Sequence, residues 1–280
     1  MMRMVLKSTA PSGHQWKRPS SATSVTAIAS GNSLTDPIFT GGVFGNKGTS
    51  WLINQYAGSV VSGIAKSTQP GSPMSYRWAN ATVPPDAKTL IADYDLLILT
   101  DVSTNFDTDV YPPTAAGLPA EALLWANHAW TNGAETILWC PNARQDKANI
   151  AAQYANRFEL WAKIQDYCNA ALPAGKKPVR LIPGAWLWHQ FWLDQQSGQC
   201  PTPTWYDDLF IDAVHPGGIS PYIFCLIHAV CIYGIDPYLL ADAIPGIATP
   251  TPEDVAYIKA HMKNLVKSFD RGGVDVSGWA

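Results

Sequence analysis

Ser33 stands in the stretch AIASGNSLTDP, residues 27 to 37, behind a run of small and β-branched residues and among the turn formers Gly31, Asn32 and Asp36. A strand that breaks into a tight turn in this way presents one hydroxyl at its end. A serine hydroxyl is a weak nucleophile until a base removes its proton, so the chain is searched for that base. Asp212 and His215 lie three residues apart in DLFIDAVHPGGISPYIFCLIHAV, ahead of Pro216, two glycines and a long apolar run. On a loop, a carboxylate three positions before a histidine accepts the Nδ1 proton and leaves Nε2 free to face a hydroxyl. These three residue types supply nucleophile, general base and orienting acid for acyl transfer.

Read together, Gly31-Asn32-Ser33-Leu34 near the start and Asp212-Ala213-Val214-His215 near the end resemble the two terminal blocks of the SGNH hydrolase superfamily, the GDSL-type esterases and lipases. The resemblance implies a three-layer α/β/α fold, Ser33 as nucleophile, and His215 and Asp212 as the rest of a triad. It further implies an oxyanion hole built from the Ser33 N–H, a glycine N–H and an asparagine side chain. For the glycine, Gly71 in STQPGSPMSYRW is the first candidate, with Gly41, Gly42 and Gly45 as competitors in a glycine-rich loop. For the asparagine, the family's Gly-x-Asn-Asp is replaced by Ser103-Thr104-Asn105-Phe106, so Asn105 is the candidate, while Asp101 at the strand end is read as a group that orients a neighbour. Asn32 stands where the family carries aspartate, and Asp36 is expected to fix the turn rather than to do chemistry.

Twelve tryptophans occur in the chain. Trp186, Trp188 and His189 in GAWLWHQFW, with Trp205 in TWYDD, are read as a loop-borne aromatic group beside the acid–base loop, suited to stacking on a sugar ring. His128 and His228 fall within helical patterns and are expected to pack. No His/Cys/Asp/Glu cluster has zinc spacing and no glycine-rich loop has nucleotide-binding form, so neither a metal nor another cofactor is expected.

Elements must bring the two ends of the chain together. Continuous apolar runs at YDLLILTD and ETILWC, with SVTAIAS and PVRLIPG, read as strands covered on both faces. GTSWLINQYAGSVV, PAEALLWANHAWTNGA and AAQYANRFELWAKIQDYCNAAL read as the helices between them. Alternation of this kind predicts an α/β class with a mostly parallel, doubly wound, flavodoxin-like sheet and functional groups at the carboxyl ends of its strands. PYIFCLIHAVCIYGI is apolar all round but shorter than the roughly 20 residues of a membrane span, so it reads as a buried helix. A last helix opens with Thr251 as cap and Pro252 in its first turn. With 280 residues, 47% of them hydrophobic, the chain is assigned one domain over 24–280, preceded by an extension over 1–23.

A formal net charge of −3 with 15% charged residues gives no basis for a nucleic-acid partner. The basic start lacks a continuous apolar run and is not read as a secretory leader. The five cysteines have no paired spacing and read as buried free thiols. The expectation is a serine esterase acting on a small-molecule or carbohydrate ester, with acetyl the preferred acyl group. The alternatives are a lipase, thioesterase or aryl-esterase with an apolar slot, or a carbohydrate-binding protein on the same fold. Compartment and oligomeric state are not set by the sequence.

Overall fold

A computed structural model of the chain describes residues 23–39, 48–59, 63–80, 85–101, 117–143, 145 and 149–280. Among them, five strands form one sheet in the order β2-β1-β3-β4-β5: β1 (Ala27–Gly31), β2 (Ile64–Thr68), β3 (Leu96–Leu99), β4 (Glu135–Trp139) and β5 (Arg180–Ile182). Every pairing is parallel. All residues of β1, β3, β4 and β5 are buried, which is why β3 is apolar throughout and the others are mostly apolar rather than alternating.

Helices connect the strands: α1 (Gly48–Ala57), α2 (Met74–Ala79), α3 (Ala87–Leu90), α4 (Leu118–Thr131), α5 (Ile150–Ala170), α6 (Gly184–Gln196), α7 (Ser220–Tyr233) and α8 (Pro252–Ser268). β1 lies between β2 and β3, so the chain winds outward in one direction through β2 and in the other through β3 to β5. The winding reverses at the carboxyl end of β1, the crevice in which open α/β sheets bind ligands. Ser33 follows β1 there.

Two elements depart from the sequence expectation. β2, IAKST, has Lys66 in its centre and only alternate burial toward its end, because it is the edge strand of the sheet. GAWLWHQFW is helix α6 and not a loop. Gly184 opens it against Trp139, where an added Cβ would lie 2.2 Å from the indole ring. Aromatics on every side conceal its helical period because the helix is covered by α5, α8 and the sheet edge.

α7 matches its composition: it is buried along its length except at Pro221. One hydrophobic cluster runs from Val25 to Trp279 and includes both ends of the described chain from 23 onward. Thr251 caps α8 through a reciprocal box, its hydroxyl accepting from Asp254 N at 3.1 Å while the Asp254 carboxylate accepts from Thr251 N at 2.9 Å. The five cysteines are free thiols, four of them buried and Cys200 partly exposed. Among the described residues, no helix is long and apolar enough to cross a membrane, and no group of three potential ligands is placed to hold a metal.

Candidate active site

The turn after β1 is organised by Asn32, which is buried. Its carbonyl accepts from Thr35 N at 2.8 Å and from Asp36 N at 3.3 Å, and its Oδ1 accepts from Leu34 N at 2.9 Å. Asn32 therefore organises the turn from both its main chain and its side chain, and Ser33 is the turn residue that follows it directly. Among the described residues the Ser33 N–H meets no acceptor. Oδ1 performs here the acceptor role open to aspartate, so the departure at Asn32 leaves the turn intact. Gly31 is required by close approach: a Cβ there would lie 2.2 Å from Thr35 Oγ1. Asp36 holds the turn to β2 through Thr68 Oγ1 and through Lys66 Nζ at 2.9 Å.

The opposite half of the site is a loop pinched at its base. Phe210 and Pro216 form an antiparallel bridge, and Ile211 N donates to the His215 carbonyl at 3.0 Å. Inside it, Asp212 Oδ1 accepts from Val214 N and from His215 N, both at 2.7 Å, while Oδ2 lies 2.8 Å from His215 Nδ1. The backbone N–H groups of His215 and Val214, and then the imidazole, hold the Asp212 carboxyl at about 2, below its ordinary 3.8. An ionised Oδ2 accepts a hydrogen bond from Nδ1–H, the tautomer that leaves the ring's lone pair on Nε2. That nitrogen lies 3.2 Å from Ser33 Oγ, 182 positions away in the chain.

α7 explains how such distant segments meet. It follows the acid–base loop directly, and the Cys225 thiol on it donates to the Pro37 carbonyl just beyond Ser33 at 3.5 Å. Thr49 at the start of α1 donates to the Cys225 carbonyl at 3.4 Å. Burial of a wholly apolar helix thus fixes both halves of the site to one body.

Two positions in this arrangement were not singled out from sequence. Asn142, beyond β4, donates from Nδ2 to the Val214 carbonyl at 3.1 Å, and Gln145 N donates to the Ala213 carbonyl at 2.7 Å. The available signal was the Cys140-Pro141-Asn142 stretch closing an apolar strand, which in a parallel sheet is the edge facing the site.

Gly71 sits at φ +67° beside Pro70 in the turn from Gln69 to Ser72, where position three of the turn calls for glycine. That turn leaves β2 beside the segment that carries Ser33, since Gln69 N donates to the Gly31 carbonyl at 2.9 Å. Asp101 is buried and accepts from Met74 N at 2.7 Å, which occupies it with the start of α2. Asn105, Gly41, Gly42 and Gly45 lie outside the described residues, as does the extension over 1–22.

The aromatic group is corrected by the structure. Trp188 is fully buried against Phe191 and Phe224, and Trp205 is 4% exposed with its Nε1 donating to Asp254 at 2.6 Å. Neither presents a face to a substrate, because Trp188 is packed between α6 and α7 and Trp205 between α6 and α8. Trp186 stacks on Phe158 at 4.4 Å and meets Phe269 edge-on. His189 lies among Tyr154, Phe158 and Trp192, and burial lowers its pKa. Both are engaged with α5, and Trp186 also with Phe269. His128 bonds the Lys88 carbonyl at 2.7 Å, and His228 is buried with Nδ1 2.8 Å from the Phe224 carbonyl, both packed as expected.

No known family profile and no curated protein matches the chain in sequence. Solved structures do match in fold. A DUF4886 family protein from Bacteroides uniformis superposes with a TM-score of 0.65 at 12% identity, covering 90% of this chain and 97% of its own. A protein assigned as a GDSL-like lipase, from Parabacteroides merdae, gives 0.52 at 14% identity over 77% and 99%. A catalytic mutant of an acetylxylan esterase from Geobacillus stearothermophilus gives 0.52 at 10% identity over 78% and 95%. At these identities the likeness is one of fold, and the chain shares the architecture of these structures.

Proposed function

We propose that the protein is a serine esterase with Ser33 as nucleophile, His215 as general base and Asp212 as the acid that orients it. The observation that carries this reading is the line from Ser33 Oγ to His215 Nε2 at 3.2 Å and from Nδ1 to Asp212 at 2.8 Å, at the switch point of the sheet. The first distance is at the long end of a hydrogen bond, and such bonds tighten in a substrate complex. Oγ attacks the ester carbonyl as Nε2 takes its proton, and Asp212 stabilises the imidazolium. The same proton passes to the leaving alcohol, and the acyl group stays on Oγ. Water, deprotonated by Nε2, then releases the acid and returns the proton to Ser33.

The negative charge of each tetrahedral state develops beside the Ser33 N–H. The Gly71 N–H and the Asn105 side chain are assigned as further donors; one such donor contributes about 3 to 4 kcal/mol to the transition state.

For the acyl group we favour acetyl on a carbohydrate, which is supported by the acetylxylan esterases that share the fold. The tryptophans no longer add to this choice, since Trp188 and Trp205 are interior. The test compares the wild type with Ser33→Ala on p-nitrophenyl acetate, butyrate and octanoate, and on acetylated xylooligosaccharides by acetate release. Acetate release that disappears in the variant supports the full reading. A preference for octanoate points to a lipase-type enzyme. Failure of Ser33 to react with a fluorophosphonate sets the catalytic reading aside in favour of a binding protein.

A further inference from the structure

A fully buried cation, Arg77, takes no part in the triad. Arg77, in the short helix α2, has no exposed surface, and its guanidinium bonds three separate segments of chain. Nε donates to Ser30 Oγ at 3.0 Å, one terminal nitrogen donates to the Ser72 carbonyl and to Ser72 Oγ at 3.2 Å, and the other donates to the Thr100 carbonyl.

The identity of those segments gives the contact its meaning. Ser30 is in β1, three residues before Ser33; Ser72 follows Gly71 directly; Thr100 ends β3 on the segment that leads to Asn105. These are the carboxyl ends of the three adjacent strands β2, β1 and β3. The backbone adds two links to the same joint, Gln69 N to the Gly31 carbonyl at 2.9 Å and Thr100 N to the Ser30 carbonyl at 3.3 Å.

Burying a charge is expensive, and an apolar side chain of similar size would often serve stability as well. What a guanidinium adds is a rigid planar fork of five donors, able to fix several acceptors in one plane. Burial lowers its pKa to about 10 against the raising effect of Asp101 and Glu121, which leaves it cationic at neutral pH. The Asp212–His215 loop has its own supports in Asn142 and Gln145, neither of which Arg77 contacts.

We infer that Arg77 is the positioning residue of the oxyanion side: by tying the ends of β1, β2 and β3 to one group, it sets where the Ser33 and Gly71 N–H donors converge. The inference rests on Ser33 being the nucleophile and adds to it a division of the site. Arg77 governs the charge-stabilising half, and the Asn142 loop governs the proton-transfer half.

Arg77→Met and Arg77→Lys test this with p-nitrophenyl acetate, below the melting temperature of each variant and per active site titrated by fluorophosphonate. Misplaced donors are expected to lower kcat by on the order of 10²-fold in Arg77→Met, with KM changed by less than about threefold. Arg77→Lys, which keeps the charge and loses the fork, is expected to stay nearer to Arg77→Met than to the wild type. A boronic acid, whose tetrahedral adduct with Ser33 places an oxygen in the oxyanion site, is expected to weaken by the same factor as kcat/KM falls. The acid limb of the pH–rate profile is expected not to move, since the imidazole half is untouched.

Wild-type kcat per titrated site in Arg77→Met overturns the inference. So does a loss accompanied by a shifted acid limb or by unchanged boronic-acid affinity. Should Arg77→Met not fold, Ser30→Ala removes only the Nε acceptor and is expected to show the same signature at about three- to tenfold, and an unchanged kcat there overturns the inference equally. A wild type inert to fluorophosphonate removes the reading of Ser33 itself, and the inference with it.

Discussion

Replacing Asp212 by asparagine changes one atom in the loop and separates two roles of the carboxylate. Oδ1 accepts two backbone N–H groups at 2.7 Å, from Val214 and His215. An asparagine in this loop must keep its carbonyl oxygen there, because turning the amide would set NH2 against two donors. Its Nδ2 is then directed at His215 Nδ1, where Oδ2 stood at 2.8 Å. Nδ1 is forced to accept, the ring proton moves to Nε2, and the lone pair that faced Ser33 Oγ is gone. Wrong-tautomer histidine lowers kcat by about 10⁴-fold in the serine-protease precedent, or about 5.4 kcal/mol at 1.36 kcal/mol per tenfold. Stability should hardly change, since both backbone bonds persist and the side chain is 53% exposed. The assay is kcat/KM on p-nitrophenyl acetate beside a thermal melt, with imidazole nitrogen shifts by NMR reporting the tautomer. An Asp212→Asn enzyme within about tenfold of wild type, folded and with its proton on Nε2, would refute the assignment of His215 as base.

Other outcomes follow from the same geometry. The Asp212 carboxyl, depressed to about 2, contributes stability and orientation above its ordinary 3.8 and loses them as pH falls toward 2. Between pH 4 and 8 the carboxylate is therefore ionised, and log kcat/KM should fall on the acid side with a slope of about one; a slope of two above pH 4 contradicts a lone imidazole base. Gly31→Ala puts a Cβ 2.2 Å from Thr35 Oγ1 and should cost about 1 to 3 kcal/mol with loss of activity, partly relieved in the double variant with Thr35→Ala. Gly217→Ala meets Ile211 Cγ2 at 2.1 Å and should lower kcat by displacing the acid–base loop, whereas additive, activity-neutral destabilisation would speak against that loop's role. Thr251→Ala removes the cap of α8 and should lower stability by about 1 kcal/mol while kcat stays at the wild-type value.

Local signals carried the sequence reading as far as they reach. Ser33 was legible because turn formers follow a buried strand, and Asp212 with His215 because their spacing matches a hydrogen bond closed within one loop. β1, β3 and β4 declared themselves by continuous apolar runs, α7 by being apolar all round, and the start of α8 by Thr251 and Pro252. Each of these depends on neighbours in sequence, or on burial from every side, which composition records directly. β2 was missed because an edge strand needs only part of its surface covered, so its residues could stay polar. The tryptophans were misplaced because size and aromaticity do not say which side of a helix the rest of the molecule covers. Arg77 and Gln145 were invisible, and the role of Asn142 went unread, for a related reason: their partners lie on segments that adjoin them only after the sheet has formed. The sequence by itself determined which groups are available for chemistry and which segments must be interior. Tertiary structure alone decided that Ser33 faces His215 and that three strand ends meet one guanidinium, because those contacts join segments whose approach is set by long-range burial of the sheet and α7.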